Sequence, residues 1–200
     1  MCAVIGLKLH NVTDNDLSQI RRIFHESQVR GMHATGVSFI KSGKVVTIKE
    51  PIPAKEFIKK HDPSEWIEDG NILAIGHCRY STSDLKYNQP IADDDKSIVH
   101  NGVITQESPD KWKDLYGIDC ETKNDSELLF HTSPSEWGDA SISTITLTKD
   151  GMEFFRNGKR PMWVAKDGNN IIVTSTRDIA RRAGVEGIER MDFDGTDTQP

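Results

Sequence analysis

Apolar and polar positions alternate with a period of two along much of the chain. Ala3–Leu9, Gly36–Ile40, Val45–Lys49, Ile72–Tyr80, Ser97–Val103, Ile142–Thr148, Met152–Arg156, Met162–Ala165 and Ile171–Ser175 all read as strands. Ser42-Gly43, Asp150-Gly151, Asn157-Gly158 and Asp167-Gly168 are dipeptides suited to the tight turns between them. Helical spacing is rarer. One long helix is expected from about Asp14 to Arg30, with Thr13 as its N-cap, Leu17, Ile20, Phe24 and Val29 as an apolar stripe, and Gly31 as its stop. Shorter helices fit Ala54–Lys60, Pro109–Tyr116, Ser126–Phe130 and Thr176–Ala183. Many hairpin-linked strands with few helices predict antiparallel sheets covered by helices, an α+β class. No internal repeat or low-complexity linker interrupts the pattern. Residues 2–194 therefore read as one domain, and the polar stretch 195–200 as a flexible tail.

A chain of 200 residues is long enough to bury a core and suits a single domain. Its net charge of −6 comes without any basic stripe, which argues against nucleic acid as a partner. No apolar run approaches the roughly 20 residues that span a bilayer, and no secretory signal opens the chain, so no membrane partner is expected. Cys2, Cys78 and Cys120 are an odd set without CxxC spacing. That pattern speaks against a disulfide framework or a cysteine-rich zinc site and for a reducing, cytoplasmic location.

Cys2 changes the picture. Aminopeptidase trimming of Met1 would give Cys2 a free α-amine beside its own thiol. An α-amine has an unperturbed pKa of about 7.7–8.0, so it can accept the thiol proton near neutral pH. Such a nucleophile carries its own general base. A cysteine at this position also serves simply as a small buried hydrophobe. Four further stretches bear on the choice: Arg30-Gly31-Met32-His33-Ala34-Thr35-Gly36; Gly76-His77-Cys78-Arg79-Tyr80-Ser81-Thr82 followed by Asn88-Gln89-Pro90-Ile91; His100-Asn101-Gly102-Val103-Ile104; and Asn124-Asp125-Ser126-Glu127. In this order, and with Met1-Cys2 ahead of them, they resemble the glutaminase domain of class II glutamine amidotransferases. That N-terminal-nucleophile group includes amidophosphoribosyltransferase and glucosamine-6-phosphate synthase. Arg160-Pro161-Met162 and Val173-Thr174-Ser175 match its later strands more loosely.

The resemblance implies an Ntn-hydrolase fold, a four-layer α/β/β/α sandwich of two antiparallel sheets, with L-glutamine as substrate and no cofactor or metal. By resemblance, Cys2 attacks the side-chain amide, and the Asn101 side chain and Gly102 N–H form the oxyanion hole. Arg79 and Thr82 bind the α-carboxylate, and Asp125 binds the α-ammonium. Arg30 orients the cysteine, and Tyr80 supports the same end of the site. Each role suits its residue type. Arginine offers a planar fork to a carboxylate, and a turn brings a backbone N–H and a short amide into one concavity. Plainer roles also exist: a surface ion pair for Arg79, a helix N-cap for Asp125, a turn dipeptide for Asn101-Gly102 and a last-turn cation for Arg30. His77, Cys78 and His100 are expected to be buried and to take no part in proton transfer.

Some positions depart from the family's pattern. Ser83-Asp84 stands where Gly or His is common, Gln106 replaces an Asn, and Asn124 replaces a Ser. Asp84 would add negative charge near the carboxylate site. The motifs also occupy nearly the whole chain, which implies a separate ammonia-accepting synthetase or transferase. The competing readings are an amidase for another γ-glutamyl or acyl amide, a glutamine sensor without turnover, and, more distantly, a metal hydrolase using His61-Asp62 or Asp93-Asp94-Asp95.

Overall fold

Strand β1 (Ala3–Leu9) is buried on both faces, and the layers of the molecule are arranged around it. The computed structural model describes residues 1–80, 87–191 and the backbone of 195–199. β1 is the middle strand of a seven-stranded sheet. On one side lie β10 (Asn170–Thr174), β9 (Trp163–Asp167) and β11 (Ile188–Arg190); on the other lie β4 (Ile72–Arg79), β2 (Ala34–Lys41) and β3 (Lys44–Glu50). A second sheet of five strands runs in the order β12 (Gly195–Gln199), β8 (Gly151–Arg156), β7 (Ser143–Thr148), β6 (Lys96–His100) and β5 (Ile91–Ala92). Neighbouring strands pair antiparallel in both sheets.

Alternation along β1 explains the layering. Ala3, Ile5, Leu7 and Leu9 pack with Leu17, Ile20, Ile23 and Phe24 of α1 (Asp14–Ser27), Phe57 and Ile58 of α2 (Ala54–Lys60), and Ile179 and Ala180 of α5 (Arg177–Arg182). Val4 faces the other way and joins Ile75 and Val173 against Val99, Ile145, Leu147, Met152 and Phe154 of the second sheet. The far side of that sheet offers Ile91, Ile98 and Phe155 to Trp112 of α3 (Trp112–Tyr116) and to Leu128 and Leu129 of α4 (Ser126–His131). The result is the four-layer α/β/β/α sandwich expected from the motifs. Full burial of each such Ile, Leu or Phe side chain stabilises the fold by about 1.5–3 kcal/mol. Gly6 sets how closely the sheets approach: a Cβ there would lie 2.8 Å from Met152 Sδ. No helix among the described residues is long and apolar enough to cross a membrane.

Several local details differ from the periodicity reading. α1 stops at Ser27, and a 3-10 turn over Gln28–Arg30 completes the predicted span. Thr13 caps it as expected, in a reciprocal capping box with Asp16. Val29 is not part of the buried stripe; it is 70% exposed, and Ile23 takes its place. Gly31 is extended at φ −165°, so it does not end the helix through left-handed backbone. Its smallness serves contact instead, because a Cβ there would collide with the backbone of Cys78 and Arg79. Ser42 and Gly43 both have positive φ, +53° and +70°, as a two-residue hairpin needs. The short strands β5 and β11 carry too few residues to show alternation. Gly195–Gln199, read from the sequence as a tail, pairs along β8.

Candidate active site

The run Ser97–Val103, predicted as one strand, is interrupted where the chemistry was expected. β6 ends at His100, Asn101 still exchanges backbone hydrogen bonds with Ser143, and Val103 makes an isolated bridge to Ser141. Gly102 lies between the two pairings. A Cβ at that position would fall on the Ser141 carbonyl oxygen and within 2.7 Å of His100 Nε2, so only glycine fits. This irregularity borders a cavity of about 170 Å³ formed with the start of β1, the end of β4 and the N-terminus of α4. Cys2, Arg79, Tyr80, Gly102 and Asp125 all line it.

Each of these residues is held by contacts from a different element. The Arg30 Nε donates to the Cys2 carbonyl at 2.9 Å, fixing the backbone from which the thiol projects. Arg30 reaches that position because the 28–33 segment is strapped to the end of β4. Gly31 packs on the Cys78–Arg79 backbone, and the His33 N–H donates to the Arg79 carbonyl at 3.1 Å. Burial lowers the pKa of Arg30, with Cys2 opposing the shift. Arg79 Nη1 donates to Asn88 Oδ1 at 2.9 Å, and Lys49 Nζ in turn donates to the Asn88 carbonyl at 3.0 Å. Tyr80 is 59% exposed at the rim, its ring centroid 5.1 Å from that of His33.

Asp125 behaves differently from a helix N-cap. Its side chain makes no capping hydrogen bond; instead Oδ2 accepts the Ile104 N–H at 2.7 Å. The carboxylate thus ties α4 to the segment that follows Gly102. Asn124 supplies the local turn, accepting the Ser126 N–H at 3.0 Å and donating to the Tyr87 carbonyl at 2.9 Å. Asn101 does not line the cavity. It is 3% exposed, and its side-chain nitrogen has no hydrogen-bond partner among the described residues. Thr82, with Ser83 and Asp84, lies outside the described residues.

The two histidines are buried, as expected. Burial pushes His77 down to about 3, helped by Arg79. His100 is lowered by burial too, with the Asp125 carboxylate opposing. Both imidazoles are therefore neutral near pH 7. His77 Nε2 lies 3.2 Å from the His100 carbonyl, which can only accept, so that nitrogen carries the proton. Cys78 is fully buried, and burial raises its thiol far above the ordinary value. Of the proposed metal ligands, Asp62 is gripped by both Nε and Nη2 of Arg21, at 2.8 and 2.9 Å. His61 pairs with Glu50 at 2.6 Å. Gln89 and Ser126 also line the cavity, without having been assigned roles from the sequence.

No protein-family model and no curated protein matches the chain. Solved structures do. A glutamine phosphoribosylpyrophosphate amidotransferase from B. subtilis superposes with a TM-score of 0.71 at 20% identity, over 96% of this chain and 49% of its own. This chain shares the fold of the matched half of that protein. A structure described as the allosteric regulatory enzyme of purine biosynthesis gives 0.69 at 18% identity, over 96% of this chain and 49% of that one. A glutamine aminotransferase class-II domain protein from Silicibacter pomeroyi gives 0.55 at 11%, over 98% and 100%. The chain thus spans about half the length of the first two, and at these identities the likeness is one of fold.

Proposed function

We propose that this chain is a glutamine-hydrolysing domain in which Cys2, freed of Met1, is the nucleophile. The observation that carries the reading is the meeting of Cys2, Arg79, Gly102 and Asp125 around one cavity of about 170 Å³. That volume lies below the roughly 300–1,000 Å³ of pockets for drug-sized ligands and suits a single amino acid. Arg79 supplies a fork for the α-carboxylate and Asp125 an acceptor for the α-ammonium, which leaves the side-chain amide for Cys2.

In this mechanism the α-amine of Cys2 takes the thiol proton, and the thiolate attacks the amide carbon. The carbonyl π electrons move onto oxygen. Gly102 borders the cavity and its N–H donates to that oxyanion, while the Asn101 amide nitrogen, buried beside it, must turn toward the cavity to add the second donor. An unpartnered buried amide costs about 1–3 kcal/mol, a cost offset when the charge forms beside it. The C–N bond then breaks, the Cys2 ammonium protonates the departing nitrogen, and ammonia leaves behind a γ-glutamyl thioester. A water that gives its proton to the same amine cleaves the thioester, releasing glutamate and the thiol. Burial lowers the basicity of His77 and His100, which leaves the α-amine as the stronger base. The released ammonia is the nitrogen that an acceptor domain or subunit would use. Glutamate release by the purified chain lacking Met1 tests the reading: turnover that disappears in Cys2→Ala is expected, and turnover that survives it contradicts the assignment.

A further inference from the structure

β5 pairs with β6 only through Ile91↔Ile98 and Ala92↔Ser97. Asn101 directs its backbone groups to Ser143 of β7, so those of His100 face the opposite edge, where β5 has already ended. Backbone groups buried there need partners. The Gln89 side chain meets both, sharing the carbonyl with His77 Nε2. Gln89, 5% exposed and two residues before β5, accepts the His100 N–H on Oε1 at 2.5 Å and donates from Nε2 to the His100 carbonyl at 3.2 Å. The same Nε2 lies 2.9 Å from Ser126 Oγ, which is also 3.0 Å from His100 Nδ1. Its side-chain amide thus continues the sheet edge for one residue and fastens it to α4.

From this geometry we infer that Gln89 is a positioning residue, holding the Asn101-Gly102 donors at a fixed distance from Asp125. The inference rests on the glutaminase reading, in which that distance must match a substrate reaching from its side-chain amide to its α-ammonium. Gln89 touches the backbone before the donors and the residue after the carboxylate, so it acts through both without performing chemistry.

Two variants test it. Gln89→Met keeps the volume and removes all three hydrogen bonds. It should lower kcat for glutamine by on the order of 10²-fold while KM stays within a few-fold, because Arg79 and Asp125 keep contacts of their own. Gln89→Glu keeps an acceptor for the His100 N–H but donates only when protonated. The ratio of its kcat to that of the unaltered protein should therefore rise as pH falls from about 8 to about 5. The other titratable groups at the cavity, Cys2, Arg79, Asp125, His77 and His100, are present in both proteins, and because an ionised carboxylate at position 89 favours protonation of the two imidazoles, the ratio is read together with the exchange of the His100 amide. A space-filling role predicts a flat ratio. Wild-type kcat in Gln89→Met, or a flat ratio in Gln89→Glu, overturns the inference, and the glutamate variant alone decides if the methionine variant does not fold. If the unaltered chain hydrolyses no glutamine, the proposed function fails and hydrogen exchange reads the clamp by itself. The His100 amide should then exchange at least about tenfold faster in either variant while Val99 is unchanged; equal protection at His100 overturns the clamp.

Discussion

The molecule has a larger concavity than the one at Cys2, and the two make opposite use of their polar groups. A groove of about 590 Å³ runs between the start of α1, the β9–β10 hairpin and the Gly184–Gly187 loop. Three of its polar side chains are engaged in holding the fold. Asp16 closes the capping box with Thr13, Gln19 donates to the Gly184 carbonyl at 2.8 Å, and Asn170 accepts the His10 N–H at 2.8 Å. At the smaller cavity, polar contacts hold one another while functional capacity remains. Arg30 fixes the Cys2 backbone rather than its thiol, Gln89 fixes the backbone of His100, and the Asn101 amide nitrogen keeps no partner among the described residues. Volume does not distinguish the sites; what converges on them does.

Substitutions at the two places should separate them sharply. Cys2→Ala should reduce glutamate release to background, whereas Glu186→Ala, in the groove, should leave it within about twofold, as surface changes usually do. Comparable losses from both would erase the distinction. Asn101→Ala should cost roughly 10²–10³ in kcat with little change in KM, the usual result of deleting one oxyanion donor. An altered KM alone would place Asn101 in substrate binding. Arg79→Ala should raise KM for glutamine by on the order of 10–10², the worth of a charge-assisted hydrogen bond of about 1.5–3 kcal/mol. Steady-state kinetics on glutamine checks all of these.

A smaller effect concerns stability. The cavity is backed by His77 and His100, both lowered by burial, while among the described residues no histidine lines the groove. An unfolded imidazole titrates near 6.5. Below that pH the unfolded chain binds protons that the folded chain refuses, so stability is full above about 6.5 and declines toward about 3, where His77 itself protonates. Thermal unfolding followed from neutral pH downward should show this slope, and His77→Gln should flatten it. An equal slope in the variant would assign the acid sensitivity elsewhere.

Period-two patterning and turn chemistry identified the long strands, even where both faces are buried, as in β1, whose alternate residues divide between two core layers. The same logic fails for β5 and β11, whose two or three residues cannot display a period, and it overextends at Ser97–Val103. There Val99 and Val103 flank Asn101-Gly102 and make the run read as one strand, while the backbone leaves the ladder at Gly102. The motifs located Cys2, Arg79, Gly102 and Asp125 at one cavity. What they concealed was how those residues are held. Asp125 next to Ser126 resembles an N-cap, yet its carboxylate binds Ile104, a partner 21 residues away. Gln89 lies in the Asn88–Ile91 motif, yet no role followed from the sequence, because its purpose depends on the β5 pairing starting only at Ile91, a fact of tertiary structure. Gly31 resembles a helix stop, but its need for smallness comes from β4.

Covalent capture tests the central claim most directly. The chain would be mixed with glutamine, quenched in acid within a turnover and examined by peptide mass spectrometry. The account predicts one γ-glutamyl group, carried as a thioester by a peptide that begins at Cys2. A γ-glutamyl group on any other residue, or efficient hydrolysis by a chain that still begins with Met1, would contradict it.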